Sequence, residues 1–490
     1  MRARDLNLHL ADDPDRPKYL QIAAALSEAI AQGRLQPGTA LPGVRELARM
    51  LGLNRNTVLA ALGELRAQGL VESREREGIF VREAPFSPMT TAPGPPTRPG
   101  FDLPERLNPP TEPVPNLLDL SEPMADVRLA PAEALARAYP RALRQQGGDL
   151  LARGEPKGTR RLREILSVHL GETRGLLADP ERILLTRGAR MGLALVTQVL
   201  VGAGGGVVVV EDPLRPSLRE VLQQAAPVEL VPVPVDGDGL DVEALARILE
   251  ERAPRMVVVS PACQDPTGAV LSSARRKRLL QLARQHRFAV VELDLESAYV
   301  LGPAPPPPLA AEDPSGQVVH LGGFSRQIAP GFRLGYLTAA GVLADAFAKA
   351  RQRVDWQGDR VLEWATADLM EEGEYGRLLR RLRRAAQERC ETLRTALEAE
   401  LGEVLALEMP TVGMGLWITG RGSLADPRVF QRWLSLAVKH GVRAAPSQPW
   451  RLDGQPIAAT RLAFSAHEPS ELKAAVWRLT RAWEELQRLV

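Results

Sequence analysis

Cysteine is scarce in this chain. Cys263 and Cys390 are the only two in 490 residues, which excludes a disulfide-stapled scaffold and points to a reducing compartment. The six histidines are scattered and no Cys-x-x-Cys occurs, so metal-ligand spacing is absent and no metal is expected. An excess of one charge sign is missing too. With 62 Lys and Arg against 60 Asp and Glu, the formal net charge is +2, so any nucleic-acid surface must come from local placement. No apolar run reaches the ~18 residues of a membrane span. The opening residues, MRARDLNLHLADDPDR, lack the apolar core of a secretion signal. The expectation is a soluble, cytoplasmic protein with no membrane partner. What is present is a 44% hydrophobic share, ample for a sizeable core, and a length that calls for two or three domains.

Helical periodicity runs from Tyr19 to Gln32, with Leu20, Ala23, Ala24 and Ala31 beside Ile22, Leu26 and Ile30, and stops at Gly33. Turns follow at Pro37-Gly38 and Leu41-Pro42-Gly43. Val44 to Leu51 reads as a second helix, ended by Gly52. Asn54 is placed to cap a third, which runs through Val58, Ala61, Leu62 and Leu65 to Gly69. Leu70 to Glu72 and Ile79 to Val81 read as strands around a charged tip. Three helices and a hairpin describe a winged helix-turn-helix, in which the third helix enters the major groove and the wing lies on the backbone. These residues closely resemble the GntR family of bacterial regulators over roughly residues 17 to 82. The match includes Pro37-Gly38, Leu41-Pro42, Arg45, Leu51-Gly52, Arg55, Thr57-Val58 and Gly78-Phe80-Val81. The resemblance implies double-stranded operator DNA as partner. Arg45 would hold a phosphate or read a base, and Arg55, with Asn56 and Thr57, would open the recognition helix and contact guanine edges. Arg74 and Arg76 would touch phosphates while Gly78 lets the wing tip come close. Glu72, Glu75 and Glu77 weaken the wing's positive field, so non-specific affinity is expected to be modest.

From Ala84 to Asn116 prolines recur and apolar periodicity vanishes, as in a semi-extended spacer. The expected domains are therefore 1–83, a linker 84–116, and 117–490. In the last of these, strand patterns (183–186, 207–211, 227–235, 256–260, 289–294, 318–321) alternate with helix patterns (159–170, 189–200, 217–224, 242–251, 274–286). That order implies an α/β domain with a mixed sheet, helices on both faces, and ligands at the strand ends. The basic run Arg377 to Arg384, RLLRRLRR, is read as a helix joining two lobes and not as a nucleic-acid stripe. Cys263 is read as a small apolar filler in a crevice loop.

The decisive stretch is Phe324 to Gly335, FSRQIAPGFRLG. It reads as a strand, a turn carrying Ser325 and Arg326, a Pro330-Gly331 turn, and a second strand entering at Phe332. The stretch resembles the cofactor-lysine segment of fold-type I pyridoxal phosphate enzymes, Ser-Lys, a few residues, Pro-Gly, then Arg-x-Gly. Ser325, Pro330, Gly331, Arg333 and Gly335 match, and Arg326 fills the lysine slot. Arginine stays protonated and cannot form a Schiff base. Over residues 117 to 490 the chain looks like a fold-type I aminotransferase domain, a mixed seven-stranded sheet with a small α+β lobe. With a GntR head it resembles the MocR-type regulators.

That resemblance implies that Gly188, Ala189, Ser325 and Arg333 hold a cofactor phosphate, with Arg326 beside them. Asp294 would face the crevice and meet the pyridine nitrogen, and Arg461 would take an amino-acid carboxylate. Head-to-tail homodimers are implied as well. The departures are at cofactor-facing positions. Besides Arg326, the family's Glu-Asp-Asp-Tyr is Glu292-Leu293-Asp294-Leu295, its Pro-Gly-Tyr is Pro213-Leu214-Arg215, and a histidine is Cys263. Two unit charges 4 Å apart interact by roughly 4 kcal/mol at an effective dielectric of 20. Arg215, Arg326, Arg333 and Arg461 therefore call for an anionic effector or for internal carboxylates such as Asp294 or Asp265. The expected function is a transcriptional regulator with a catalytically inactive sensor or dimerisation domain and no covalently bound pyridoxal phosphate. A working pyridoxal-phosphate aminotransferase is the alternative.

Overall fold

The computed structural model describes residues 16–74, 77–82, 101, 116–446 and 448–489. The chain divides into two units, Met1–Glu112 and Pro113–Val490. The expected linker lies almost wholly outside the described residues.

In the first unit, α1 (Lys18–Ala31) turns Ile22, Ala23, Leu26 and Ala29 inward at helical spacing. The next helix, α2 (Val44–Leu51), buries Leu47 and Ala48 and stops at Gly52, whose φ of 63° is left-handed. Asn54 caps α3 (Arg55–Ala67) by accepting from the Asn56 amide at 2.9 Å. The inner face of α3 is Val58, Ala61, Leu62 and Leu65. Antiparallel β1 (Val71–Arg74) and β2 (Gly78–Val81) form the wing, with Arg74 opposite Gly78. Side chains from all five elements share one small core.

The second unit opens with β3 (Leu118–Asp119), α4 (Ala132–Leu151) and α5 (Arg160–Arg174). Strands and helices then alternate: β4 (Ile183–Thr186), α6 (Ala189–Leu200), β5 (Gly206–Asp212), α7 (Pro216–Ala225), β6 (Val228–Asp236), β7 (Gly239–Leu240), α8 (Val242–Glu251), β8 (Met256–Val259), α9 (Ser273–His286) and β9 (Ala289–Asp294). After the short α10 (Leu309–Glu312) come β10 (Val318–Gly323) and β11 (Gly335–Thr338). The sheet order is β4-β11-β10-β9-β8-β5-β6-β7. From β10 through β6 neighbours are parallel, while β11 is antiparallel to both β4 and β10. One strand more than expected is present, because the two-residue β7 folds back antiparallel along β6.

Alternation along the buried strands feeds two cores. Val208, Val210, Val291 and Leu293 enter one, and Val209, Val257, Val259 and Val290 the other. Between β10 and β11, residues 324–334 form a loop; the second strand enters at Gly335, not at Phe332.

The chain continues through α11 (Gly341–Asp355), α12 (Arg360–Glu371) and the 28-residue α13 (Glu374–Leu401). On α13, Leu378 and Leu382 turn inward and Arg377, Arg380, Arg381, Arg383 and Arg384 are exposed. The smaller lobe follows: β12 (Leu405–Glu408), β13 (Gly415–Gly420), α14 (Pro427–Lys439), β14 (Val442–Arg443), β15 (Ala459–Ala463) and α15 (Pro469–Leu489). Strands β12, β13 and β15 make an antiparallel sheet, and β14 pairs with β3. No helix among the described residues is long and apolar enough to cross a membrane.

Candidate functional site

Each unit carries one candidate surface. In the first, Arg45 is the second residue of α2 and Arg55 opens α3; both are exposed, as is Asn56, while Thr57 is half-buried. Neither Arg45 nor Arg55 has a carboxylate partner among the described residues. Arg74 is committed differently: it pairs with Glu72 at 3.0 Å and lies 4.6 Å from the Phe80 ring centre. Exposed pairs of this kind are worth little, so a phosphate can compete for it. Gly78 has φ +120°, with open space where a Cβ would stand. Arg76 and Glu75 lie outside the described residues.

In the second unit the ends of β4, β5, β9 and β10 converge on a crevice of about 220 Å³. At one end, α6 begins at Gly188, whose φ is +80°. A Cβ on Gly335 would stand 2.8 Å from the Gly188 carbonyl carbon, so two backbones meet where only glycine fits. The opening amides of α6 have no acceptor within the helix. Arg333 is exposed beside them, bonded only to the Arg187 carbonyl at 3.3 Å and without a carboxylate among the described residues. Ser325 lines the same end, but its hydroxyl donates to the Phe332 carbonyl at 2.7 Å and so fixes the 324–334 loop.

The opposite end is filled by a buried ionic cluster. Arg326 bonds Asp265 at 3.1 Å and Glu296 through its other terminal nitrogen. Arg461, on β15 of the small lobe, spans the same two acids, at 3.1 Å to Asp265 and 3.2 and 2.5 Å to Glu296. Arg215 grips Asp265 with two bonds of 2.8 and 2.7 Å and reaches Glu122 at 3.4 Å. Arg461 is 1% exposed, Glu296 3% and Asp265 6%. Burial alone would raise the Asp265 carboxyl, but Arg215, Arg326 and Arg461 hold it well below the usual carboxylate range. Glu296 is likewise lowered against its burial by Arg461 and Arg326. Arg461 is raised by Glu296 and Asp265 in spite of its burial. The chain makes room for this cluster: a Cβ on Gly415 would stand 2.4 Å from the Arg461 Nε, and one on Gly413 3.1 Å from Glu296.

Of the two internal carboxylates anticipated for these arginines, Asp265 is in the cluster and Asp294 is not. Asp294 does not face the crevice. It lies on the other side of β9, where Arg174 donates to it at 3.1 and 3.2 Å. Strand alternation sends Leu293 and Leu295 into the crevice instead. Glu296 went unnoticed in the sequence; the surplus of arginines was the signal that a second acid had to be near. Cys263 sits behind the cluster, 3.8 Å from Glu296, and burial together with that carboxylate pushes its thiol well above its ordinary range.

The aminotransferase class I and II family matches residues 117–479, three quarters of the chain. The chain belongs to the aminotransferase class I and II family. Its first unit matches the bacterial regulatory proteins of the gntR family over residues 18–81. An uncharacterized HTH-type transcriptional regulator of Bacillus subtilis, YisV, is 28% identical over 474 residues, spanning 94% of this chain and 95% of that protein. The probable rhizopine catabolism regulatory protein MocR of Rhizobium meliloti is 27% identical over 98% of this chain and 96% of its own length. Among solved structures, the α-aminoadipate aminotransferase LysN of Thermus thermophilus, complexed with N-(5'-phosphopyridoxyl)-L-leucine, superposes with a TM-score of 0.70 at 27% identity. It covers 77% of this chain and 94% of its own.

Pyridoxal phosphate, the group that such relatives bring to mind, is only half accommodated here. The Gly188–Ala189 turn and Arg333 suit its phosphate. For the rest of the group the crevice offers Leu293 where the resemblance asks for an acid, since Asp294 is turned away, and an Arg326 guanidinium already bonded to two carboxylates. The residues of this aminotransferase-family member suit the phosphate and not the rest of the group.

Proposed function

We propose that the chain is a DNA-binding transcriptional regulator whose aminotransferase-type unit has lost amine-transfer chemistry and serves for sensing or dimerisation. The observation that carries the loss is Arg326. Its resemblance-assigned position is the one where an uncharged amine must attack an aldehyde, and its guanidinium is held by Asp265 and Glu296. Arg461, the arginine assigned to a ligand carboxylate, is engaged by the same two acids. For DNA binding the support is the gntR match together with Arg45, Arg55 and Asn56 standing exposed at helix starts. The full-length relatives named as HTH-type regulators point the same way. Operator DNA is the partner, bound by a head-to-tail homodimer in the cytoplasm.

Gel retardation with the DNA upstream of the chain's own gene tests the first part: selective retardation is expected and Arg55→Ala removes it. Borohydride treatment in the presence of pyridoxal phosphate tests the second: no stoichiometric adduct forms. A stoichiometric adduct on one lysine, with amino-group transfer to a 2-oxo acid, would instead make the chain a working aminotransferase. The retained anion end of the crevice is the observation that favours that second reading.

A further inference from the structure

The crevice is chemically lopsided in a way that selects a ligand. Its anion end holds Arg333, the one crevice-lining arginine without a carboxylate partner among the described residues, beside the first amides of α6. The middle is apolar: Leu193, Leu218, Leu293 and Leu295 line it. At the far wall Arg215 and Arg326 also line it, backed by Asp265 and Glu296. Counting Arg461, three arginines face two buried acids there, both already bonded by two or more of them, and the third acid, Glu122, stands exposed at the rim 3.4 Å from Arg215.

We propose that this crevice binds a small phosphomonoester with an apolar, non-basic body, and that it disfavours both pyridoxal-type phosphates and free amino acids. The proposal rests on the reading of this unit as a sensor and names the class of compound it would sense.

A phosphate needs cations not already neutralised, and charge-assisted bonds to a guanidinium and to helix-start amides supply them. A ring nitrogen in this place needs a carboxylate. The strand end that could provide one turns Asp294 to the opposite face, where Arg174 holds it, and offers Leu293 instead. A polar atom placed against leucine goes unpaired, which is how buried sites reject near-isosteres. An amino-acid carboxylate fares no better, because it would have to displace Glu296, bonded to Arg461 at 2.5 Å.

Isothermal titration of the full chain with four probes tests this: phenyl phosphate, pyridoxamine 5'-phosphate, inorganic phosphate and L-leucine. Phenyl phosphate is expected to bind one per chain, about tenfold or more tighter than pyridoxamine phosphate and inorganic phosphate, with no heat from L-leucine. Arg333→Ala should weaken phenyl phosphate by about tenfold or more. Leu293→Asp should reverse the order of the two organic phosphates, by supplying the missing acid and repelling the apolar body. Circular dichroism and the unfolding midpoint of each variant establish that it is folded.

Three outcomes would overturn the inference: pyridoxamine phosphate binding as tightly as phenyl phosphate, phenyl phosphate binding no tighter than inorganic phosphate, or an unchanged preference in folded Leu293→Asp. Retardation of operator DNA is scored separately. A chain that binds its operator but none of the phosphates keeps its proposed function and loses this ligand class.

Discussion

At the scale of single residues, the second unit turns on Glu296. Its two oxygens take bonds from Arg326, Arg461 and the Met414 amide, the last at 2.9 Å. Buried pairs are poor evidence for net stability, but removing one member leaves uncompensated charge, which costs about 3–5 kcal/mol. Glu296→Gln, which keeps the shape but not the charge, should therefore lower the urea midpoint of the full chain, and Glu296→Ala should lower it further. A parental midpoint in Glu296→Gln would mean that the cluster carries no such charge balance. The same geometry governs the reverse experiment at Arg326. Carboxylates beside an amine favour its charged form, so Arg326→Lys places an ammonium between Asp265 and Glu296 and leaves it protonated at neutral pH. Visible absorption with added pyridoxal phosphate should show no aldimine band in that variant, and a band should emerge only when Glu296→Gln is added.

At the scale of elements, alternation decides what a strand offers its crevice, and here the sequence could be read only part of the way. Helices α6 and α8 stand where the 3.6-residue period put them, and Asn54 caps α3 as its side chain suggested, because amphipathic spacing and capping are local properties. Which of Leu293 and Asp294 faces the cleft depends on the twist and neighbours of β9, and both are buried, so the alternation could not tell which face was the cleft. Phe332 reads as a strand start for a related reason. Phe332 and Leu334 are buried, but in a loop and not in a ladder. A pH effect belongs to this scale too. Burial at the end of β5, only partly offset by the Ser260 amide at 3.1 Å and by Gln264, pushes the Glu211 carboxyl up to about 8. The folded chain then holds a proton that the unfolded chain releases near its ordinary value of 4.5. Stability from this group is full below that value and falls as pH rises toward about 8. Asp265 and Glu296, both depressed, act oppositely and lose their contribution only as pH drops below the ordinary carboxylate range. Urea midpoints measured from pH 5 to pH 8 should thus decline in the parent chain, and Glu211→Gln should flatten the decline. A parallel decline in both would remove Glu211 as its cause.

At the scale of the whole molecule, a near-neutral chain has to bind DNA with a few well-placed cations. With a formal net charge of +2, no broad positive field gathers DNA unspecifically, so selectivity must come from helix-start side chains. Arg55 is exposed at the start of α3 with no acid partner among the described residues, whereas Arg74 already holds Glu72 and lies over Phe80. A guanidinium reading guanine edges is worth about 1–3 kcal/mol of discrimination. A phosphate contact adds affinity that is uniform across sequences and contributes about 0.9 to the slope of log affinity against log salt. Arg55→Ala should therefore cost about ten- to a hundredfold on operator DNA and little on scrambled DNA. Arg74→Ala should weaken both alike, by less, with a slope about 0.9 smaller if the arginine leaves Glu72 for a phosphate and unchanged if it does not. Fluorescence anisotropy at several salt concentrations separates these cases. Equal losses on operator and scrambled DNA for Arg55→Ala would move that residue from base reading to backbone holding, and selectivity would then have to come from Arg45 and Asn56.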